Sequence, residues 1–333
     1  MQEENRKTNI PFFLKPAGKD YLWGGRRLND DYAKNIDMTP LAETWECSTH
    51  PDGPSTVSSG IYEGRLLSDV LKEHPEYIGT HPHTEGELPI LIKLIDAKKD
   101  LSVQVHPDDV YAETYENGQL GKDEMWYVLD AKKDSTLIYG LNRTVTKDEL
   151  RAGIEDGSIT RYLQKVPVHK NDVFYIKAGT IHAIGAGVLL AEVQESSNLT
   201  YRLYDYDRTD RNGSKRELHV EKALSVADLN AAERPVQPMR LLNYRRGWAS
   251  EFLYRCKYFQ TERILLNTER IREMVTVQTD SLSFMVMLCL EGSGMLRYEN
   301  EILPFFKGDC IFIPADSVPV QLHGTAQFLR VSC

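Results

Sequence analysis

The sequence predicts a mainly β fold made of two related barrel modules with a few peripheral helices. Two observations carry this prediction: most apolar runs are short, alternating or β-branched and end at turn residues, and one turn-plus-strand unit occurs twice. The chain has 333 residues, and at roughly 100–200 residues per domain this length suits two domains.

The predicted strands are spread along most of the chain. Each is a run of apolar residues bounded by Gly, Pro, Asp or Asn. In chain order, these runs include LSVQVH, EMWYVLDA, STLIYGL, DVFYIKAG, GVLLAEVQ, SFMVMLCLEG and DCIFIPAD. Such a density of short strands is typical of a sandwich or a barrel.

Helical patterns are fewer, and we expect them at the periphery of the β core. The predicted helices run from about Leu66 to His74, after Pro107, from Thr146, and from about Lys215 to Asp228. Thr146 and Glu149 have the spacing of a capping box, which marks a helix start.

The repeated unit lies in two distant segments, KNDVFYIKA at 170–178 and KGDCIFIPA at 307–315. Four residues after the first copy comes His182, whereas four after the second comes Pro319. If one copy binds metal, we therefore expect it to be the first. The two prolines of AAERPVQP favour a boundary nearby, which divides the chain into residues 1–238 and 239–333.

Composition excludes several classes of protein. The formal net charge of −9 gives no broad basic face for nucleic acid or an anionic membrane. Five cysteines without CxxC spacing argue against a disulfide framework. The polar, proline-interrupted N-terminus does not resemble a signal peptide, and no apolar stretch is long enough for a membrane span. We therefore expect a cytoplasmic protein.

A candidate metal site emerges from three of the predicted strands. Gln104 and His106 are two residues apart and would point to the same face of a strand. Glu124 begins another apolar strand, and His182 stands in a Gly-flanked turn. Two imidazoles, a carboxylate and an amide supply nitrogen and oxygen ligands that suit zinc and can leave one position open.

Each of these residues also has an ordinary structural interpretation. A lone histidine in a turn is more often solvated or packed than a ligand, and Glu124 could pair with Lys122 or face solvent. The tract 202–208, RLYDYDR, is typical of a polar strand with cross-strand ion pairs. The joint pattern favours a metal site because all its members fall in one predicted barrel.

The sequence resembles the type I mannose-6-phosphate isomerases, zinc enzymes of the cupin superfamily, in their short bacterial form. The motifs that carry the resemblance are LSVQVHPDD, GKDEMWYVLDA, GTIHAIGAG and AEVQESSNLTYRLYDYDR, in that order. The resemblance implies two cupin domains, of which only the first binds metal. It also implies that Gln104, His106, Glu124 and His182 ligate one zinc ion.

The resemblance gives roles to further residues. Those it places at the pocket are Arg202, Lys122 and Lys93 as catalytic groups, and Ser102, Glu192 and Trp23 as substrate-binding groups. The sequence departs from the longer family members at Ser196-Ser197-Asn198, where they carry Ser-Asp-Asn. The interval between Glu124 and His182 is also too short for their large helical insertion.

The implied reaction interconverts mannose 6-phosphate and fructose 6-phosphate through a cis-enediol. Lys122, Lys93 and Arg202 are candidates for the base and for the phosphate anchor, with Glu192 and a zinc-bound water as further candidates for the base. Two alternatives stay open: an isomerase of another phosphosugar using iron or manganese, and a non-catalytic sugar-phosphate sensor. The sequence leaves a monomer and a homodimer equally open.

Overall fold

A computed structural model describes residues 9–82, 87–209 and 213–333 of the chain. The sequence predicts that the N-terminus is not a signal peptide. Residues 1–8 of that segment lie outside the described ranges. Within them the protein is mainly β, as predicted. No helix in these ranges has both the length and the apolar character that crossing a membrane requires.

The described ranges form strands from near the start of the chain to its last residues. In chain order these are β1 (Phe12–Lys15), β2 (Ala17–Lys19), β3 (Glu43–Cys47), β4 (Thr56–Val57), β5 (Ile90–Asp96), β6 (Val103–Val105), β7 (Glu124–Ala131), β8 (Thr136–Leu141), β9 (Leu163–Pro167), β10 (Val173–Ile176), β11 (His182–Ile184), β12 (Val188–Glu195), β13 (Tyr201–Tyr204), β14 (Leu242–Arg245), β15 (Trp248–Arg255), β16 (Gln260–Asn267), β17 (Val275–Val277), β18 (Met285–Tyr298), β19 (Glu301–Phe306), β20 (Cys310–Ile313) and β21 (Val320–Ser332). Every run predicted as a strand overlaps one of these strands.

The strands form three antiparallel sheets. One sheet has the order β10-β7-β12-β5-β3-β2, and a second has the order β13-β6-β11-β8-β9. These two sheets face each other and share an apolar layer that includes Ile95, Trp126, Leu190, Leu137 and Ile184. They make up the N-terminal module.

The third sheet forms the C-terminal module. Its order is β14-β15-β16-β21-β18-β20-β1-β4, with β17 paired to β21 and β19 paired to β18. It encloses its own apolar core, which includes Leu266, Met287, Ile311 and Phe328. Another core cluster, with Tyr127 and Ile92 on one side and Phe312 on the other, joins it to the N-terminal module.

The first strand of the chain belongs to this third sheet. Phe12 of β1 lies opposite Phe312 of β20, and Leu14 lies opposite Val57 of β4. The N-terminal part of the sequence therefore contributes two strands to the C-terminal sheet. The division of the chain into 1–238 and 239–333 stays a prediction.

The helices lie outside the sheets. They are α1 (Arg27–Asp30), α2 (Leu67–Glu73), α3 (Asp109–Tyr115), α4 (Lys147–Glu155) and α5 (Val220–Val226), with 3₁₀ helices at Gly60–Tyr62, Pro75–Ile78 and Ser158–Arg161. The capping box at the start of α4 is present: the Thr146 hydroxyl accepts from the Glu149 N–H, and the Glu149 carboxylate accepts from the Thr146 N–H. Leu150 of α4 and Leu224 of α5 cover the outer face of the second sheet.

The last predicted helix is shorter than the sequence pattern indicates. Helix α5 begins at Val220, whereas the pattern predicts a start at about Lys215. The segment before α5 binds along β13 instead: the His219 N–H donates to the Arg202 carbonyl at 2.8 Å. These contacts hold residues 215–219 outside the helix, which local periodicity cannot reveal.

The repeated unit has the same local structure in both copies. Its turn residue has positive φ in each copy, 72° at Asn171 and 99° at Gly308. The following Asp172 or Asp309 carboxylate accepts a hydrogen bond from the backbone N–H three residues before it, at 2.8 Å and 2.7 Å respectively. The two segments therefore share one turn-plus-strand conformation.

Candidate metal centre and active-site pocket

Strands β13, β6 and β11 place three predicted site residues in one row. Gln104 of β6 lies opposite His182 of β11 on one side and opposite Arg202 of β13 on the other. Residues paired across neighbouring antiparallel strands point to the same face of a sheet. The second sheet therefore presents an amide, an imidazole and a guanidinium side by side.

The facing sheet presents a second row of polar side chains. Glu192 of β12 pairs with Trp126 of β7 and with Lys93 of β5, and Gln194 of β12 pairs with Glu124 of β7. Since alternate residues of a strand share a face, Glu124 and Trp126 point the same way. The two rows meet in the space between the sheets.

Three of the predicted ligands form a compact group there. Ligand atoms of His106, Glu124 and His182 all lie within 4.8 Å of one another, and all three residues are buried. His106 Nε2 is 3.2 Å from Glu124 Oε1, and His182 Nε2 is 3.8 Å from Glu124 Oε2. The Gln104 amide lies beside them, with its Nε2 3.4 Å from His182 Nε2.

Backbone carbonyls fix the orientation of both imidazoles. His106 Nδ1 donates to the Leu199 carbonyl at 2.7 Å, and His182 Nδ1 donates to the Thr180 carbonyl at 2.8 Å. Such bonds place the proton on Nδ1, so the unprotonated Nε2 of each ring faces the group. Burial lowers the pKa of both imidazoles, that of His106 to about 3. Both histidines are therefore neutral, as metal ligands must be.

Glu124 completes this group as a charged carboxylate. Burial opposes its ionisation, but the Lys122 ammonium at 2.7 Å holds its pKa well below the usual range. Glu124 Oε1 is buried and accepts no well-directed hydrogen bond from a described residue. An ionised oxygen beside two unprotonated Nε2 atoms fits a divalent cation, and this donor set suits zinc.

The pocket in front of the metal group has a volume of about 250 Å³. Seven of the ten predicted site residues line it: Trp23, Lys93, Ser102, Gln104, Lys122, Glu192 and Arg202. The other three are the ligands His106, Glu124 and His182 described above. The structure therefore brings all ten predicted residues together.

Buried carboxylates accompany the lysines in this pocket. Lys93 Nζ lies 3.0 Å from Glu192 Oε1 and 3.9 Å from Glu43 Oε2. Burial lowers the pKa of Lys93, but Glu192 and Glu43 outweigh it and raise the pKa above its usual value. The pKa of Glu192 is raised by burial and by the charge of Glu124, against the opposing effect of Lys93. Trp126 Nε1 also donates to Glu192 Oε2, at 2.9 Å.

Sequence reasoning missed five polar residues of the pocket wall. These are Tyr21, Glu43, Asn198, Thr200 and Arg216. Asn198 and Thr200 lie within a motif quoted for the resemblance, AEVQESSNLTYRLYDYDR, so that motif marks the segment that supplies them. No pattern pointed to Arg216, because it lies in a segment that the sequence predicts to be helical.

The fold and the site define a cupin protein with a candidate metal centre, and comparison with known proteins agrees. The family model described as "Phosphomannose isomerase type I, catalytic domain" matches residues 12–139, and "Mannose-6-phosphate isomerase, cupin domain" matches residues 249–333. The chain is 45% identical to the probable mannose-6-phosphate isomerase GmuF of Bacillus subtilis, over 96% of this chain and 98% of the relative.

Two further comparisons show the same likeness over nearly the full length of both chains. Mannose-6-phosphate isomerase ManA of Bacillus subtilis is 38% identical over 96% of this chain and 98% of its own. The crystal structure of a mannose 6-phosphate isomerase from Bacillus subtilis superimposes with a TM-score of 0.87 at 36% identity, covering 97% of this chain and 99% of the other. The chain is therefore an enzyme of the type I phosphomannose isomerase family.

Proposed function

We propose that this enzyme is a zinc-dependent aldose–ketose isomerase that interconverts mannose 6-phosphate and fructose 6-phosphate through a cis-enediol. The observation that carries the proposal is the group of His106, Glu124 and His182 beside a pocket lined by Lys122 and Arg202. The names of the full-length relatives support the choice of substrate.

Four residues would hold the zinc ion: Gln104, His106, Glu124 and His182. Their neutral imidazoles and ionised carboxylate support this assignment. A bound zinc ion would supply Lewis acidity to the sugar oxygens at C1 and C2, which makes the proton on C2 of the aldose, or on C1 of the ketose, more acidic. The carbonyl contacts of both imidazoles hold these ligands in place before any ion binds.

Glu192 is our candidate for the group that moves the proton between C1 and C2. A general base works best when its pKa lies near the working pH, and the pKa of Glu192 is shifted upward, toward that range. Lys93 is a poorer base, because its pKa is shifted upward, away from neutrality. Lys93 and Trp126 instead hold the two oxygens of Glu192 in position.

The remaining predicted residues would bind and orient the sugar. Lys122 and Arg202 supply positive charge to anionic oxygens of the substrate and of the enediolate. Ser102 accepts a hydrogen bond from Arg202 Nε at 3.2 Å and so orients the guanidinium. Trp23 is nearly buried, lines the pocket and presents an aromatic wall on which the sugar can pack.

A coupled assay with mannose 6-phosphate, run beside metal analysis, tests this proposal. We expect the purified enzyme to contain about one zinc ion per chain, a strong chelator to abolish turnover, and added zinc to restore it. Full activity in metal-free enzyme would overturn the metal role. Zinc-loaded enzyme without turnover of this substrate would overturn the proposed reaction.

The cellular setting is part of the same proposal. The acidic composition and the small polar pocket support a free phosphosugar as the partner, without nucleic acid or membrane. We expect the enzyme in the cytoplasm. The choice between a monomer and a homodimer stays open.

A further inference from the structure

Two guanidiniums line the pocket, although the motifs assign a role to only one of them. Arg202 extends from β13, and Arg216 extends from the segment between β13 and α5. Both side chains are partly buried. They are close enough that Arg216 lowers the pKa of Arg202, the largest effect after burial.

Arg216 is held rigidly by a carboxylate. Its Nε donates to Asp205 Oδ2 at 2.8 Å, and its second terminal nitrogen donates to Asp205 Oδ1 at 2.6 Å. Asp205 is itself almost fully buried, and its side chain also accepts from Arg208 Nε at 3.1 Å. Such a two-point contact fixes the plane of a guanidinium in a way that a lysine cannot reproduce.

This arginine cluster, made up of Arg202, Arg208 and Arg216 around Asp205, carries more positive than negative charge. The hydrogen bonds of Arg202 go to neutral groups, the Ser102 hydroxyl and the Glu217 carbonyl. Only Arg208 and Arg216 bond the Asp205 carboxylate, so the three guanidiniums and this one carboxylate sum to two positive charges. A sugar phosphate carries close to two negative charges at neutral pH.

The opposite side of the pocket has a different charge balance. Lys93 is paired with Glu192 at 3.0 Å, and Lys122 is paired with Glu124 at 2.7 Å. The positive charge of the lysines is therefore largely compensated before substrate binds. A dianion entering the pocket meets uncompensated charge at the arginine cluster.

We propose that Arg216, fixed by Asp205, forms with Arg202 the subsite that binds the phosphate group of the substrate. This inference rests on the proposed function, since it places the phosphate of that substrate at one end of the pocket. Arg202 pairs across the strands with Gln104, so it adjoins the metal ligands, where C1 and C2 of the sugar would lie, as well as Arg216. Asp205 is a positioning residue in this arrangement.

The test measures KM and kcat for mannose 6-phosphate and the inhibition constant of inorganic phosphate in zinc-loaded full-length enzyme. Arg216→Ala should raise KM and the inhibition constant about 10- to 100-fold, because one charged contact with the phosphate is lost. The value of kcat should change less than about threefold, since the proposal places Arg216 at the phosphate and not at the reacting carbons. Arg216→Lys should lie between the wild type and Arg216→Ala.

Two variants control for position and for folding. Lys215→Ala removes a neighbouring cation that pairs with Asp207 on the surface, and KM should stay at the wild-type value. Asp205→Asn should raise KM less than Arg216→Ala while kcat is kept, as expected when Arg216 is present but less well fixed. Thermal unfolding of each variant identifies any that are misfolded, and Arg216→Lys retains a partner for Asp205.

Two results separate this inference from the proposed function. Wild-type KM and phosphate inhibition in folded Arg216→Ala enzyme, with turnover intact, would overturn the subsite but leave the reaction standing. A wild-type enzyme that does not convert mannose 6-phosphate would overturn the reaction. In that case, calorimetric titration with inorganic phosphate still tests the subsite: binding by the wild type that weakens at least tenfold in Arg216→Ala supports it, and equal binding overturns it.

Discussion

The two copies of the turn-plus-strand unit share a backbone conformation but differ in the side chain that follows the strand. Strands β10 and β20 follow the same turn, with an Asp carboxylate bonded to the same backbone position. After β10 the chain reaches His182, which contributes to the metal group, whereas after β20 it reaches Pro319, which is exposed. The backbone is shared, and the side chains alone make one copy a candidate metal site.

The interiors of the two modules differ in the same way. The C-terminal module fills its core with apolar side chains such as Met287, Ile311 and Phe328. The N-terminal module buries Lys93, Lys122, Glu124 and Glu192 between its sheets. Buried charges destabilise a fold unless they are paired, and here each lysine has a carboxylate partner. The pairing allows the module to keep reactive groups in its interior.

Substitution at the two equivalent positions, His182 and Pro319, should give the largest effect and tests the difference between the modules. His182→Ala should remove the zinc ion and lower kcat about 1,000-fold or more, because the Lewis acid contributes several kcal/mol. Pro319→Ala should leave both values unchanged. Zinc content by plasma emission spectrometry and the coupled assay measure the two effects. A His182→Ala enzyme that retains zinc and turnover would contradict the asymmetry of the modules.

A smaller effect separates charge stabilisation from metal binding within the N-terminal module. Arg202→Ala should lower kcat about 100- to 1,000-fold, since a positioned cation is lost from the developing negative charge. The zinc content should stay near one ion per chain, because Arg202 is not a ligand. Loss of zinc together with activity would show that Arg202 supports the metal site instead. Wild-type turnover would remove it from the reaction.

The smallest expected effect is a change in the pH dependence of stability, caused by Glu195 at the contact between the two modules. Glu195 is buried close to Asp109, which accepts hydrogen bonds from Lys257 at 2.9 Å and Tyr258 at 2.7 Å in the C-terminal module. Burial, together with the charges of Asp109 and Asp123, raises the pKa of Glu195 to about 9. We therefore expect Glu195 to keep its proton at neutral pH and to share it with Asp109.

The raised pKa of Glu195 makes the free energy of unfolding depend on pH. Between the unfolded value of about 4.3 and the folded value of about 9, the folded state binds more protons at Glu195. This contribution to the free energy of unfolding is complete below the lower value and is lost as the pH rises, by at most about 1.4 kcal/mol per pH unit.

Glu195→Gln should remove this contribution while keeping an acceptor for the Asp123 N–H, which bonds Glu195 Oε1 at 2.9 Å. The variant should therefore gain stability relative to the wild type as the pH is raised from 5 to 8. Urea unfolding at several pH values measures the difference. A difference between the two proteins that does not vary with pH would show that Glu195 ionises normally.

Much of this structure could be predicted from local sequence patterns. Period-two runs predicted the strands, and the capping spacing of Thr146 and Glu149 predicted the start of α4. The i, i+2 spacing of Gln104 and His106 predicted a shared face, and both residues lie beside Glu124 and His182. These predictions succeeded because each depends on the geometry of a single strand or turn.

The features that escaped prediction depend on contacts between distant segments. Arg216 lines the pocket because Asp205 binds it and the backbone near His219 pairs with β13, which cancels part of a helical pattern. Glu43 reaches the pocket only because β3 pairs with β5, so that it lies near Lys93. Spacing along the chain contains no information about either contact.

By the proposed function, only the N-terminal module holds a metal ion. Anomalous diffraction from zinc-loaded crystals, recorded on both sides of the zinc absorption edge, tests it most directly. We expect one peak per chain, between Gln104, His106, Glu124 and His182, and none at the turn before Pro319. A peak in the C-terminal module, or none among these four residues in zinc-loaded protein, would contradict the claim.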